Sequence, residues 1–187
     1  MIRKSLVIAV FALLIMSPVQ AMEVGKVTLP ETMIVGGEEL ILNGAGFRKK
    51  AFFKIYVGAL YLTSEESDPQ VIIDNDEPMA IRMHFTYKGV SSQKLVKSWN
   101  DGFSNATGGN IEPLVDEIDT FNSYFIEEAK PGDIYDFLYS PDSGVSIILK
   151  GNHMGSIPGV EFKKALFGIW LGDKPADKGL KKAMLGN

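Results

Sequence analysis

The sequence predicts an α+β domain in which helices cover one face of a sheet. Three observations carry that expectation. The first half strings β-branched and aromatic residues into short runs, the middle switches to an amphipathic helical period, and a hairpin-like stretch from Asp133 to Lys150 precedes further helical sequence.

In chain order, residues 24–29, 39–43, 48–63 and 79–87 read as strands, with Asn43-Gly44-Ala45-Gly46 as a turn signal between the second and third. From Ser92 to Phe103 the apolar residues Leu95, Val96, Trp99 and Phe103 recur on one helical face, and Ile111, Leu114, Val115, Ile118, Phe121 and Phe125 do the same for a second helix. Residues 133–139 and 145–150 return to strand composition around Ser140-Pro141-Asp142-Ser143-Gly144, a hairpin turn. A helix is expected from about Glu161 to Leu171, stopped by Gly172, and a short one from about Ala176 to Gly186. There is no internal repeat and no low-complexity segment; glycine and proline fall singly as turn punctuation.

The first 21 residues stand apart. Arg3 and Lys4 precede an apolar stretch from Leu6 to Met16, then Pro18 and the small-residue site Val19-Gln20-Ala21. This is the pattern of a secretory signal peptide cleaved after Ala21. The apolar core is shorter than the roughly 20 residues of a membrane-spanning helix, and no such segment follows in the mature chain. Residues 22–187 are expected to form one domain, periplasmic or secreted, and a monomer.

The whole chain carries 19 basic and 23 acidic residues; removing Arg3 and Lys4 with the leader leaves 17 against 23. An acidic surface without a long basic run argues against nucleic acid as a partner. With no cysteine, an exported chain of this kind has to draw its stability from packing.

Most familiar chemistry finds no support. His84 and His153 do not stand at metal-ligand spacing and read as polar or surface residues, so neither a metal nor a cofactor is expected. No G-x-S-x-G elbow is present. Gly44-Ala45-Gly46 lacks the third glycine and the strand-to-helix setting of a phosphate loop. Asp116, Glu117 and Asp119 lie opposite Ile118 on the second helix and read as a solvated face rather than an acid/base pair.

One stretch does not fit a plain core strand. "GAGFRKKAFFKIYVGALYL", residues 44–62, mixes Arg48, Lys54 and Tyr56 into apolar sequence, where unpaired charges are costly. A guanidinium offers a planar fork of donors matched to a carboxylate, and a tyrosine hydroxyl adds one neutral donor. On one straight strand Arg48 and Tyr56 would stand roughly 26 Å apart, so they meet at one ligand only if the chain bends. The alternative is that Arg48 pairs with a structural carboxylate and the lysines guard a sheet edge.

"LNGAGFRKKAFFKIYVGALYL" resembles the N-terminal strand motif of the chalcone isomerase superfamily, and "LFGIWLGDKPADKGLKKAMLG" is similar to that family's last helices. The resemblance covers about residues 24–187. It implies an open-faced β-sandwich, a large antiparallel sheet layered by helices, with a ligand cleft between them. In the family's isomerases an arginine holds the reacting oxyanion, and Arg48 matches it. The threonine that accompanies it falls at Tyr56, a replacement resembling the fatty-acid-binding branch. The tyrosine, lysine and asparagine of the first helix fall near Ser91, Lys94 and Ser98, which retains only the lysine, and the C-terminal hydroxyl falls near Ile169.

The resemblance therefore implies binding of a fatty acid or similar small amphipathic carboxylate, with Arg48, Tyr56 and Lys94 as ligand-binding residues, and leans away from an enzyme. Two other functions stay open. One is a chalcone–flavanone-type isomerase, an intramolecular lyase, with Arg48 as its catalytic electrophile. The other is a non-catalytic envelope interaction protein, favoured if side chains fill the cleft.

Overall fold

The computed structural model describes residues 21–187, so the signal-peptide assignment, apart from Ala21 itself, lies outside the described residues. Its centre is a seven-stranded antiparallel meander in which every strand pairs with its neighbour in sequence. The strands are β3 (Thr32–Val35), β4 (Glu38–Lys50), β5 (Phe53–Leu62), β6 (Met79–Phe85), β7 (Ile134–Ser140), β8 (Gly144–Leu149) and β9 (Asn152–Ile157). A small hairpin, β1 (Ala21–Val24) and β2 (Val27–Pro30), precedes them. The helices are α1 (Pro69–Asp74), α2 (Ser92–Ala106), α3 (Val115–Ser123), α4 (Val160–Leu171) and α5 (Lys178–Met184).

Alternation along the strands divides the apolar residues between two faces. Leu60, Ile81, Met83, Phe85, Phe137 and Ile147 meet the helices, with Trp99, Phe121, Leu166 and Trp170 in the same core. On the other face Val57, Ala59, Tyr61 and Ala80 pack with Val27 and Leu29 of the β1–β2 hairpin, which Tyr61 Oη ties down by donating to Pro30 O at 3.0 Å. Farther along this face Arg82 holds Asp136 in a bidentate pair at 2.7 and 2.9 Å.

Three expected elements need correction. Residues 24–29 are not one strand, because Gly25, at φ 67°, turns the chain between β1 and β2. The long strand expected from residue 48 is interrupted at Ala51-Phe52, where a two-residue connection joins β4 to β5 with Ala51 at φ 53°. Asn43 to Gly46 is no turn but the interior of β4, with a bulge between Leu42 and Gly44.

The glycines of that segment serve helix docking instead. A Cβ on Gly44 would stand 2.1 Å from Ala183 O, one on Gly46 2.6 Å from Ala183 Cβ, and one on Gly58 of β5 2.8 Å from Met184 Cε. Helix α5 thus lies directly on the β4–β5 backbone, and only glycine allows the approach. Asn43 secures the end of the helix by donating to Met184 O at 2.8 Å.

Helix α1 and strands β3 and β9 were not anticipated. The helix has six residues and is set by Asp68, whose carboxylate accepts from the Gln70 and Val71 N–H groups ahead of Pro69. Its C-terminal end is held by a fully buried lysine, Lys163 of α4, which donates to Ile72 O, Ile73 O and Asn75 O at 3.0, 2.8 and 2.6 Å. Those carbonyls have no intrahelical partner, and one ammonium with three donors satisfies all of them.

Candidate functional site

Because β4 turns back into β5 after only two residues, Arg48 and Tyr56 become cross-strand partners. The separation expected along one strand thus collapses to a direct neighbour contact. Gly44, Gly46 and Arg48 alternate on the face toward the helices, as do Tyr56 and Gly58 opposite them. Helix α5 covers the glycines, and half-buried Arg48 and buried Tyr56 lie beyond its N-terminal end, near Ala176 and Asp177. The guanidinium carbon stands 5.8 Å from the centre of the Tyr56 ring.

Here the sheet and helices leave a cleft in two adjoining parts, which share Arg48, Ile55, Val90 and Ser98 in their walls. The inner chamber, about 50 Å³, is lined by Arg48 and Tyr56 on the sheet side, Leu95, Ser98 and Trp99 on α2, and Ile169 on α4. The outer part, about 200 Å³, opens past Arg48, Lys50, Phe53, Tyr87, Lys94 and Ser98. The structure therefore gathers Arg48, Tyr56, Lys94, Ser98 and Ile169 around one space, whereas Ser91 does not line it and caps the start of α2 by its backbone.

The electrostatics of the space are one-sided. Arg48 is half-buried, and among the described residues it makes no ion pair; nor do Lys50 and Lys94. Asp177, the carboxylate beside this corner, accepts instead from the backbone N–H groups of Lys49, Gly179 and Leu180 at 2.8, 2.7 and 2.9 Å. The structural-carboxylate alternative for Arg48 is thus not realised. Three cations line a cleft of an acidic protein, and none of them makes an ion pair among the described residues.

Two indoles bear on the inner chamber, Trp99 in its wall and Trp170 behind Tyr56. Trp170 Nε1 donates to Tyr56 Oη at 2.9 Å, which fixes the hydroxyl and leaves its own proton free to donate. Burial pushes the Tyr56 pKa up to about 12, so it remains a neutral donor throughout the physiological range. Trp99, 4% exposed, has an Nε1 without an acceptor, an exception among buried polar groups. Neither indole was singled out from sequence. Both stand at helical spacing among apolar residues and read as core, and only the orphaned N–H group marks Trp99 as more.

Elsewhere the space between sheet and helices is filled. Trp99 packs against Phe121, Phe125, Phe137 and Trp170 at centroid distances of 5.4, 5.3, 5.7 and 5.9 Å. The cleft is thus confined to the Arg48 end. A larger open groove, about 580 Å³, runs between α1, α2 and α4. Of its two cations, Lys164 is already opposed by Asp74 and Glu161 at 3.5 and 3.7 Å and Lys181 donates to Gly172 O at 3.0 Å, so the groove offers an anion less than the Arg48 cleft does.

The family described as chalcone isomerase-like matches the chain over residues 21–186. Among curated proteins, fatty-acid-binding protein 1 of Arabidopsis thaliana is 24% identical over 123 residues, 62% of this chain; the chain spans 43% of that relative's length. Among solved structures, that of an Arabidopsis thaliana fatty-acid-binding protein superposes with a TM-score of 0.71 at 16% identity, covering 89% of this chain and 96% of the other. That likeness shows the fold: an antiparallel sheet layered by helices, as the sequence predicted.

Proposed function

The chain belongs to the chalcone isomerase-like family, and from that premise we propose that it binds a fatty acid or similar small amphipathic carboxylate in the Arg48 cleft. The observation that carries the reading is the half-buried guanidinium, without an ion pair among the described residues, beside an apolar chamber. A carboxylate on Arg48 supplies the missing charge, and the Tyr56 O–H supplies a second donor. Lys94 and Lys50 add long-range attraction at the rim. The name of the Arabidopsis relative, matched in both sequence and structure, supports a fatty-acid ligand.

The inner chamber is far below the roughly 300–1,000 Å³ typical of ligand pockets. A long tail therefore enters by spreading α2 from the β4–β5 hairpin. Affinity then rises with chain length by about fourfold per buried methylene and stops rising where the tail outgrows the gap. Isomerase chemistry has less support, because Ile169 brings an apolar side chain to the chamber where the resemblance expects a hydroxyl.

Calorimetric titration with dodecanoate tests the reading. Arg48→Ala should lose at least about thirtyfold in affinity, a loss of about 2 kcal/mol or more, and Arg48→Lys should also lose because the planar fork is gone. Ligand-free melting temperatures should hardly move, since no ion pair is broken. Unchanged affinity in Arg48→Ala refutes the assignment, and stereoselective cyclisation of a chalcone well above its spontaneous rate would favour the isomerase.

The reading places the protein outside the cytoplasm, periplasmic or secreted, on the strength of the leader sequence. N-terminal sequencing of the exported form should start at Met22; an intact leader would make the protein membrane-anchored instead.

A further inference from the structure

The tip of the β4–β5 hairpin has a character of its own. Phe52 is 100% exposed and Phe53 55% exposed, the former in the two-residue turn and the latter at the first position of β5. Lysines flank them at 49, 50 and 54, and none makes an ion pair among the described residues. Phe53 stands edge-on to Tyr87 at 5.3 Å, which sets the neighbouring loop, with exposed Lys88, beside the hairpin.

Lysines suffice to protect a sheet edge, but a fully exposed phenylalanine works against that purpose. Aromatic rings at the apex of a rigid turn, ringed by unpaired ammonium groups, suit a different surface. The rings enter the headgroup–acyl boundary while the lysines meet anionic headgroups, each lysine being worth about fivefold in partitioning. The remainder of the chain is acidic, so repulsion elsewhere presents this corner to the surface.

We infer that the β4–β5 hairpin tip docks on an anionic lipid surface, with Phe52 inserted and Lys49, Lys50 and Lys54 on the headgroups. Docking itself does not depend on the ligand. Its consequence does rest on the proposed function: Lys50 and Phe53 also line the outer part of the cleft, so a docked tip opens the cleft toward the bilayer, and a carboxylate passes between them without crossing water.

Co-sedimentation with vesicles of phosphatidylcholine and phosphatidylglycerol in equal parts tests the inference. The wild type should partition to these vesicles, lose them as salt is raised, and partition at least tenfold less to pure phosphatidylcholine. Phe52→Asp should lose at least tenfold in partitioning while keeping its dodecanoate affinity in vesicle-free solution, since the residue touches neither the core nor the cleft. Ile126→Asp, at a position 77% exposed on another part of the surface, should partition as the wild type does. Equal partitioning of wild type and Phe52→Asp overturns the inference, as does wild-type protein that stays off anionic vesicles or that self-associates through Phe52. Retained dodecanoate binding in Arg48→Ala with intact vesicle binding would tell against the cleft alone.

Discussion

Replacing Tyr56 by phenylalanine removes one oxygen from the inner chamber and separates structural from ligand-binding roles at that position. The hydroxyl is the acceptor for Trp170 Nε1 at 2.9 Å, and Trp170 is 1% exposed, so the substitution strands a buried donor. Such stranding costs about 1–3 kcal/mol. The chamber beside it, about 50 Å³, has room for a water, which needs roughly 10–15 Å³, so the cost should sit at the lower end, about 1 kcal/mol. Trp170→Phe removes the donor as well, and the two substitutions should couple by about 1 kcal/mol in a double-mutant cycle. Affinity should fall separately: a hydrogen bond to a charged acceptor contributes about 1.5–3 kcal/mol, a loss of roughly tenfold or more for dodecanoate. Denaturant melts supply the cycle and calorimetry the affinity. Additive losses in the cycle would refute the Tyr56–Trp170 bond, and unchanged affinity would leave the hydroxyl with a purely structural role.

Lys163 should give a pH signature. Burial lowers its pKa from 10.5 to about 8, so above pH 8 the folded state sheds a proton that the unfolded chain keeps until about 10.5. Stability should climb with pH across that window, by at most about 3 kcal/mol, and Lys163→Met should abolish the climb while lowering stability through the three stranded carbonyls. Urea melts from pH 7.5 to 9.5 test this below the range where Tyr56, Tyr61 and Tyr139, each pushed up to about 12, ionise and work in the opposite sense. Gly44→Ala should lift α5 off the sheet, because its Cβ would meet a backbone oxygen that no side-chain rotation can move. Limited trypsin digestion should then cut at Lys178, Lys181 and Lys182 much faster than in the wild type; an unchanged digestion rate would show that the approach is not tight.

How much of this was legible in the sequence depended on the range of the cause. Alternation and helical period depend on local pattern, and they foretold α2, α4 and the β7–β8 hairpin. Arg48, Tyr56 and Lys94 are named as a ligand-binding set through resemblance alone, and the structure sets Arg48 and Tyr56 in one part of the cleft and Lys94 in the part adjoining it. The turn that unites the first two was invisible because Ala51-Phe52 carries no Asn, Gly or Pro, and its positive φ is imposed by the strands on either side. Gly44 and Gly46 were misread because a glycine signals a turn and a close approach alike. The difference lies in Ala183, some 140 residues away in the chain. Helix α1 escaped because six residues hold less than two turns, and its partner Lys163 sits in the later sequence as an ordinary helix-surface lysine would.

The meander carries a kinetic consequence for the cleft. Its sheet side is a hairpin closed over two residues, the kind of contact that forms within about 1–10 μs and costs little chain entropy. Its helical side comes from α2, α4 and α5, and the Tyr56–Trp170 bond and the Asn43–Met184 bond span 114 and 141 residues. Contacts of that span are the slow ones. During folding, then, the cationic pair of strands exists before its roof does. If the proposed function holds, an amphipathic acid present at that stage meets an open shelf rather than a closed chamber, and loading during refolding should outpace loading of the folded protein.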